Sequence, residues 1–394
     1  MAVRILSEAD GRALDAALHG AVVLGRDDLV AVVATGRDHA RFLHNMLTQE
    51  VKALPPLSVR LACLCDAQGK MLAASTLVVQ PEQNGSTRAV LWTHRQQAAA
   101  LVATLDRYVI ADDVEIALDE TLALVSLVGP EALRIVGAVA VSALQPPDPK
   151  LELGDAVAAT VAGVSVLAFQ GTTGGREGAP HGPGVPEIFL QLQRDDVGTL
   201  VPALLGLGAV VGCHAAAEAL RILAGRPLLG VDVDDASLPL EAGLAASVSY
   251  RKGCYLGQEA IAMMTYRGQM RRHLCWVEPA ASGPLSAGTG AMLPGPGLNP
   301  VPDAGALLRT TDGKRAGRMG SSVVLRDGRC LGLAMVQRKA YAAGAELTAT
   351  GPDGGEVALR LLTTTVLGAL AVAAVEGEPT ASSAPAALPA EPSA

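Results

Sequence analysis

The stretch YRKGCYLGQEAIAMMTYRG, Tyr250 to Gly268, divides the chain into two textures. Between three glycines it gathers a thiol, an ammonium, an amide, a carboxylate and an arginine. Val248-Ser249-Tyr250 reads as the end of a strand and Ala260 to Met264 as a short helix, so Lys252 to Glu259 is expected to be the loop that joins them. Gly253 and Gly257 permit backbone angles that other residues resist, and they let a ligand or another chain segment come close. Cys254 lies just before a helix start and two residues from Lys252, two neighbours that lower a thiol pKa. Gln258 and Glu259 fall in the first helical turn, where a carboxylate is favoured and backbone amides can receive a polar or anionic ligand. On chemistry alone Cys254 is either an activated nucleophile or one more small buried residue.

On the N-terminal side of this stretch, helices and strands mix. LVAVVATG (Leu29–Gly36) reads as a buried strand, and RDHARFLHNMLTQEV then places Phe42, Leu43, Met46 and Leu47 on one helical face. Val59 to His94 alternates around two turn signals and predicts an antiparallel meander. A helix and strand follow in QQAAALVATLDRYVIADDVEIAL, then a strand, Gly-Pro and helix in LALVSLVGPEALRIVGAVA. HAAAEALRILAG predicts a helix that stops at Gly225 before Pro227. Pro146 to Pro149 marks a connection, and Gly171 to Pro186 is long enough to be a binding loop. On the C-terminal side, short apolar runs separated by Asp-Gly turns predict a small all-β barrel or sandwich. From Gly377 the composition is too poor in large apolar residues to fold. The expected class is α+β, in three parts: 1–268, two interleaved α+β lobes; 269–366, a β-barrel; and 367–394, a disordered tail.

Composition narrows the function. The chain has 394 residues, a formal net charge of −8 and an aromatic content of 3%. Neither the basic excess nor the stacking surfaces of a nucleic-acid binder are present. Its six cysteines, at 63, 65, 213, 254, 275 and 330, form no CxxC pair and join no His/Cys cluster. Neither a metal site nor a disulfide framework is expected. The N-terminus lacks a signal-type apolar run, and the apolar segment Leu361–Val375 falls short of a membrane span, so a cytoplasmic protein without membrane partners is expected. The histidines have no triad-like partner visible in sequence, and GTTGG (Gly171–Gly175) lacks the context of a phosphate loop.

Lys252-Gly253-Cys254-Tyr255-Leu256-Gly257-Gln258-Glu259, followed by Arg267-Gly268, fills every specified position of the motif K-G-C-[FY]-x-G-Q-E…R-G. That motif is the signature of the YgfZ-type folate-binding proteins, relatives of the glycine-cleavage T-protein. The resemblance extends to GRDHARFLHNMLTQEV (36–51), CDAQGKML (65–72), RYVIADDVEI (107–116), ALRILAGRPLLGVDV (219–233) and LPLEAGL (238–244), and covers roughly residues 20 to 365. It implies a T-protein-like architecture of three lobes around a central folate-binding opening, with a C-terminal antiparallel β-barrel. Tetrahydrofolate is the implied cofactor, and the implied role is assembly or repair of [4Fe–4S] iron–sulfur proteins, with iron–sulfur client or assembly proteins as partners. Cys254 is the implied reacting thiol, with Lys252 tuning it. Folate contacts are expected from Glu187, Tyr255, Gly257, Gln258, Glu259 and Arg267. The alternative is the T-protein's own aminomethyl transfer. Its hairpin aspartate is missing from Gly69-Lys70-Met71-Leu72-Ala73-Ala74. Met263 stands where many members carry an arginine, leaving Arg267 or Arg271 for any anion contact.

Overall fold

The structure is a computed structural model that describes residues 4–5, 7–82, 85–139, 155–171, 185–267, 270–280, 302–325, 330–341, 345–351 and 354–365. The chain opens with β1 (Arg4–Ile5) and α1 (Glu8–His19). Ser7 and Asp10 close a reciprocal capping box at the start of α1, which fixes where that helix begins. Then come β2 (Val22–Gly25), β3 (Leu29–Thr35), α2 (His39–Met46), β4 (Val59–Cys65), β5 (Met71–Pro81), β6 (Thr87–His94), α3 (Arg95–Tyr108) and β7 (Glu115–Asp119). The middle of the chain adds β8 (Leu122–Val128), α4 (Ala132–Val139), β9 (Val157–Val161), β10 (Val164–Gln170), β11 (Glu187–Gln193), α5 (Val197–Gly206), β12 (Val210–Val211), α6 (His214–Leu223) and α7 (Gln258–Arg267). The last part contributes the strands β13 (Arg272–Pro279), β14 (Leu307–Thr310), β15 (Arg315–Val324), β16 (Cys330–Gln337), β17 (Glu346–Thr350) and β18 (Glu356–Thr365), with a 3-10 turn at Arg338–Ala340.

Among the described residues these strands form three sheets. The first, β4-β5-β6-β3-β7, is antiparallel throughout, and the second is ordered β12-β2-β8-β11-β10-β9. These two interleave along the chain, because β2 joins the second sheet and β3 the first. They also stack. Odd-numbered Ala31 and Val33 of β3 meet Phe169 and Phe189 of the second sheet, while Val30, Val32 and Ala34 face Phe42, Leu43 and Leu101 beneath α2 and α3. With both faces covered, these strands read as continuous apolar runs rather than alternating ones. On the outer face of the second sheet, α4 and α5 bury Ile135, Val136, Leu200 and Leu204.

The third sheet is a closed barrel of six antiparallel strands, β14-β15-β16-β13-β18-β17 returning to β14. Its interior holds Cys275, Val277, Met319, Ala334, Leu347 and Leu359. The α+β, three-lobed expectation with a C-terminal β-barrel matches this architecture. One addition concerns the boundary, since β1 pairs in parallel with β15, so the first strand of the chain joins the last lobe. A fifth apolar cluster ties the lobes together, with Leu14 of α1, Met71 of β5, Leu220 of α6, Tyr255, Ile261 of α7 and Trp276 of β13 in contact.

Val248-Ser249-Tyr250 is not a strand. After a 3-10 turn at Ala245–Ser247, the Ser249 N–H donates to the Thr48 carbonyl at 2.9 Å, and a single anchor of this kind does not make a ladder. The tail 367–394, Pro146 to Pro149 and residues 172–184 of the long Gly/Pro loop lie outside the described residues. Among the described residues no helix is long and apolar enough to cross a membrane.

Candidate functional site

The loop that carries Cys254 is built as the cap of α2. A helix ends with carbonyls that have no partner within it. At this end the Lys252 Nζ donates to the carbonyls of His44, Leu47 (2.6 Å) and Gln49 (3.0 Å), and the Leu256 N–H donates to that of Asn45 (3.0 Å). Thr48 continues the seam, its hydroxyl donating to the Ser247 carbonyl at 2.6 Å and receiving the Cys63 N–H at 2.9 Å. Lys252 is buried, and its ammonium also lies 4.7 Å from the centre of the Tyr255 ring. Burial pulls the Lys252 pKa down to about 8, with Glu50 pulling the other way. The carbonyls and the ring favour the charged form as well. All three ammonium hydrogens are therefore directed at backbone carbonyls, and none is left to give to a thiolate.

Gly257 takes φ +80°, a conformation that glycine adopts without strain. A side chain there would begin 2.3 Å from the Asp66 carbonyl oxygen, because the β4–β5 hairpin lies directly on this loop. Gly69 of that hairpin, also at positive φ, is close as well, since a side chain there would begin 3.0 Å from Ala260 and 3.1 Å from the Gly257 carbonyl oxygen. The segment admitted by these glycines is thus the hairpin. α7 starts at Gln258 with Glu259 in its first turn, as the sequence predicted, Gln258 half-buried and Glu259 exposed. Tyr255 is buried, and burial pushes its hydroxyl pKa up. The side chain of Arg267 and all of Gly268 lie outside the described residues. Met263 and Tyr266 are exposed on α7, as is Tyr250 before the loop.

Cys254 stands apart from this clamped frame. Four of the six cysteines, Cys63, Cys65, Cys275 and Cys330, are buried. Burial raises the thiols of Cys65 and Cys275 and pushes that of Cys63 up to about 12, which keeps all three as inert thiols. Cys213 is exposed but pairs with the Asp10 carboxylate. Cys254 is exposed and makes no hydrogen bond among the described residues.

Glu187 opens β11 on the face that meets the first sheet, and it is buried. Arg26, in the link from β2 to β3, donates to Glu187 Oε1 at 3.2 Å and grips Asp28 through Nε at 2.9 Å and Nη2 at 2.8 Å. The guanidinium also lies 5.4 Å from the centre of the Phe189 ring. Burial alone would lower the Arg26 pKa and raise that of Asp28. Their bidentate pairing outweighs burial in both, so Arg26 is raised and Asp28 lowered. Gly171 faces Glu187 across β10 and β11, and a side chain there would collide with the carboxylate. Nearby His94 caps α3, its Nδ1 accepting the Gln96 N–H at 3.3 Å. Arg221 of α6 pairs with Glu218 and Asp232, and its Nη2 reaches Ser321 Oγ of the barrel at 2.6 Å. Charges from both sheets and α6 therefore converge beside the barrel wall.

Six of the residues singled out in the sequence, Lys252, Cys254, Tyr255, Gly257, Gln258 and Glu259, sit together on the loop and the first turn of α7. Glu187 belongs to the second centre, tied to the first through Val185, which packs against the cluster that holds Tyr255 and Ile261. Sequence reasoning missed Arg26, Asp28 and Arg221. The available signal was GRDD (Gly25–Asp28), three charges wedged between two apolar strand runs. His39 is buried and His44 half-buried, because α2 lies between the capping loop and the first sheet.

The tRNA-modifying protein YgfZ of Edwardsiella ictaluri is 29% identical over 257 residues, 65% of this chain and 70% of that protein. The tRNA-modifying protein YgfZ of Klebsiella pneumoniae is 28% identical, over 77% of this chain and 82% of that one. Among solved structures, the glycine cleavage system aminomethyltransferase T of Bartonella henselae superposes with a TM-score of 0.71 at 19% identity, covering 91% of this chain and 89% of its own. That is a likeness of fold. The model of the GCVT N-terminal domain matches residues 11–252, a span that contains both centres up to Lys252, and the chain belongs to that family.

Proposed function

We propose that this protein is a tetrahydrofolate-binding accessory protein for the assembly or repair of [4Fe–4S] proteins, with Cys254 as its reacting thiol. The observation that carries the reading is Cys254 itself, an exposed thiol without a hydrogen-bond partner among the described residues, presented by a loop whose neighbours Lys252 and Tyr255 are fixed and buried. A nucleophile needs this combination of access and rigid support. One thiol supplies one metal ligand, so the clusters concerned are those of client proteins. The name tRNA-modifying protein, borne by the relatives, fits an accessory role, since a net charge of −8 is ill-suited to gripping RNA directly.

The residues present suit folate. A buried carboxylate such as Glu187, held in place by Arg26, is the group that recognises the N–H edge of a pterin. Bound folate would supply one-carbon chemistry, and Glu187 would orient it. Aminomethyl transfer lacks its carboxylate in the first hairpin. Asp66 is the only acid there, and its Oδ1 is committed to the N–H groups of Gln68 and Lys70, both at 2.9 Å.

Calorimetric titration with tetrahydrofolate tests the ligand. Wild type and Cys254→Ala should bind alike, and Glu187→Gln should bind at least about tenfold more weakly, the loss of one charge-assisted contact. Absence of binding by wild type removes the folate part. In cells lacking the native gene, Cys254→Ala should fail to restore [4Fe–4S] enzyme activities, and full restoration would sink the thiol's role.

A further inference from the structure

We propose that His44 is the base that takes the proton of Cys254, with Glu50 as the positioning residue behind it. The loop is anchored on either side of the thiol to consecutive residues of α2, Lys252 to the His44 carbonyl and Leu256 to that of Asn45. Cys254 is the midpoint between those anchors, two residues from each, so at most about 7 Å of chain separates it from either anchored loop residue. The imidazole Nδ1 lies 2.9 Å from Glu50 Oε1. The Val51 N–H, at 3.5 Å from the same nitrogen, is too long to claim its lone pair. Glu50 therefore takes the Nδ1 proton and leaves Nε2 as the acceptor. Nε2 makes no hydrogen bond among the described residues, and a side chain on Gly253 would begin 3.9 Å from it. Gly253, one residue before the thiol, therefore passes within van der Waals reach of that nitrogen.

The step is a proton transfer from Sγ to Nε2, which leaves a thiolate and an imidazolium and no change in net charge. Two charged groups bear on the ring. They are Glu50, at Nδ1, and the Lys252 ammonium, bonded to the His44 carbonyl. Arg41, one turn earlier on α2, is paired with Asp38 and Asp112. The thiolate then serves a soft electrophile; with iodoacetamide as probe, an S–C bond forms and iodide leaves.

This rests on Cys254 being the reacting thiol, but its test needs neither folate nor a client protein. The alkylation rate at Cys254 is measured by peptide mass spectrometry from pH 5.5 to 9.5, with exposed Cys213 as the internal comparator. At pH 6.5 wild type should react at least about tenfold faster than His44→Gln, the profiles converging near pH 9.5, where an unassisted thiol is itself ionised. Glu50→Gln, which keeps the ring, should be at least about threefold slower than wild type at pH 6.5. Superimposed profiles for wild type and His44→Gln overturn the proposal. So does an unchanged Glu50→Gln profile, should His44→Gln fail to fold by circular dichroism. If Cys254→Ala restores iron–sulfur enzyme activities, the function reading fails while the pH profile still decides the role of His44.

Discussion

Lys252 and Cys254 lie two positions apart and do opposite work. Lys252 satisfies carbonyls at the end of α2, so Lys252→Met should leave buried acceptors unpaired and cost about 2–4 kcal/mol. Urea unfolding followed by circular dichroism measures this. Lys252→Arg should not rescue it, since a planar guanidinium cannot direct its donors at three carbonyls grouped around one nitrogen. Cys254→Ala removes an exposed side chain and should shift the same midpoint by no more than about 0.5 kcal/mol. The sequence placed a lysine beside a cysteine and suggested that one tunes the other. It could not show where the ammonium points, because its acceptors lie some two hundred residues upstream. His44 was invisible as a partner of Cys254 for the same reason.

Among elements, the α2 block and the signature loop are two halves of one unit. The motif NMLTQE (Asn45–Glu50) is capped by RKGCYL (Arg251–Leu256), and the β4–β5 hairpin seals the other side. Gly257→Ala would place a methyl group against the Asp66 carbonyl while forcing an unfavourable positive φ, and should destabilise by about 2–4 kcal/mol. Hydrogen exchange should show the loss first in α7 and the hairpin, with the barrel protected as before. Strands and helices were legible because period and punctuation are local properties. Gly225, at φ +69°, ends the α6 segment as its sequence foretold. Val248 to Tyr250 misled because apolar and β-branched residues also suit a lone extended segment laid against Thr48.

At the scale of the molecule, the charges between the lobes set the pH behaviour. Arg26→Met would leave Glu187 and Asp28 without their shared cation in a buried setting, a loss of about 3 kcal/mol by chemical denaturation. Burial first, then Arg221 and Arg26, hold the His94 pKa below its ordinary value against Asp28 and Glu218. A histidine kept neutral in this way contributes its stability above about pH 6.5 and loses it as the pH falls toward the folded-state pKa. Protonation also removes the Nδ1 acceptor that caps α3. The urea midpoint of wild type should therefore fall further between pH 7.5 and 5.5 than that of His94→Asn. The architecture was readable through the signature and the change of texture after Gly268. The convergence of Arg26, Glu187 and Arg221 was not, because each lies on a different element and only packing brings them together. The parallel pairing of β1 with β15 sets an order of synthesis. Strand β1, made before every element that lies between the two, finds its partner only when β15 has emerged from the ribosome. Until then the barrel edge it will occupy does not exist, and β1 must wait for β15 before this part of the fold can be completed.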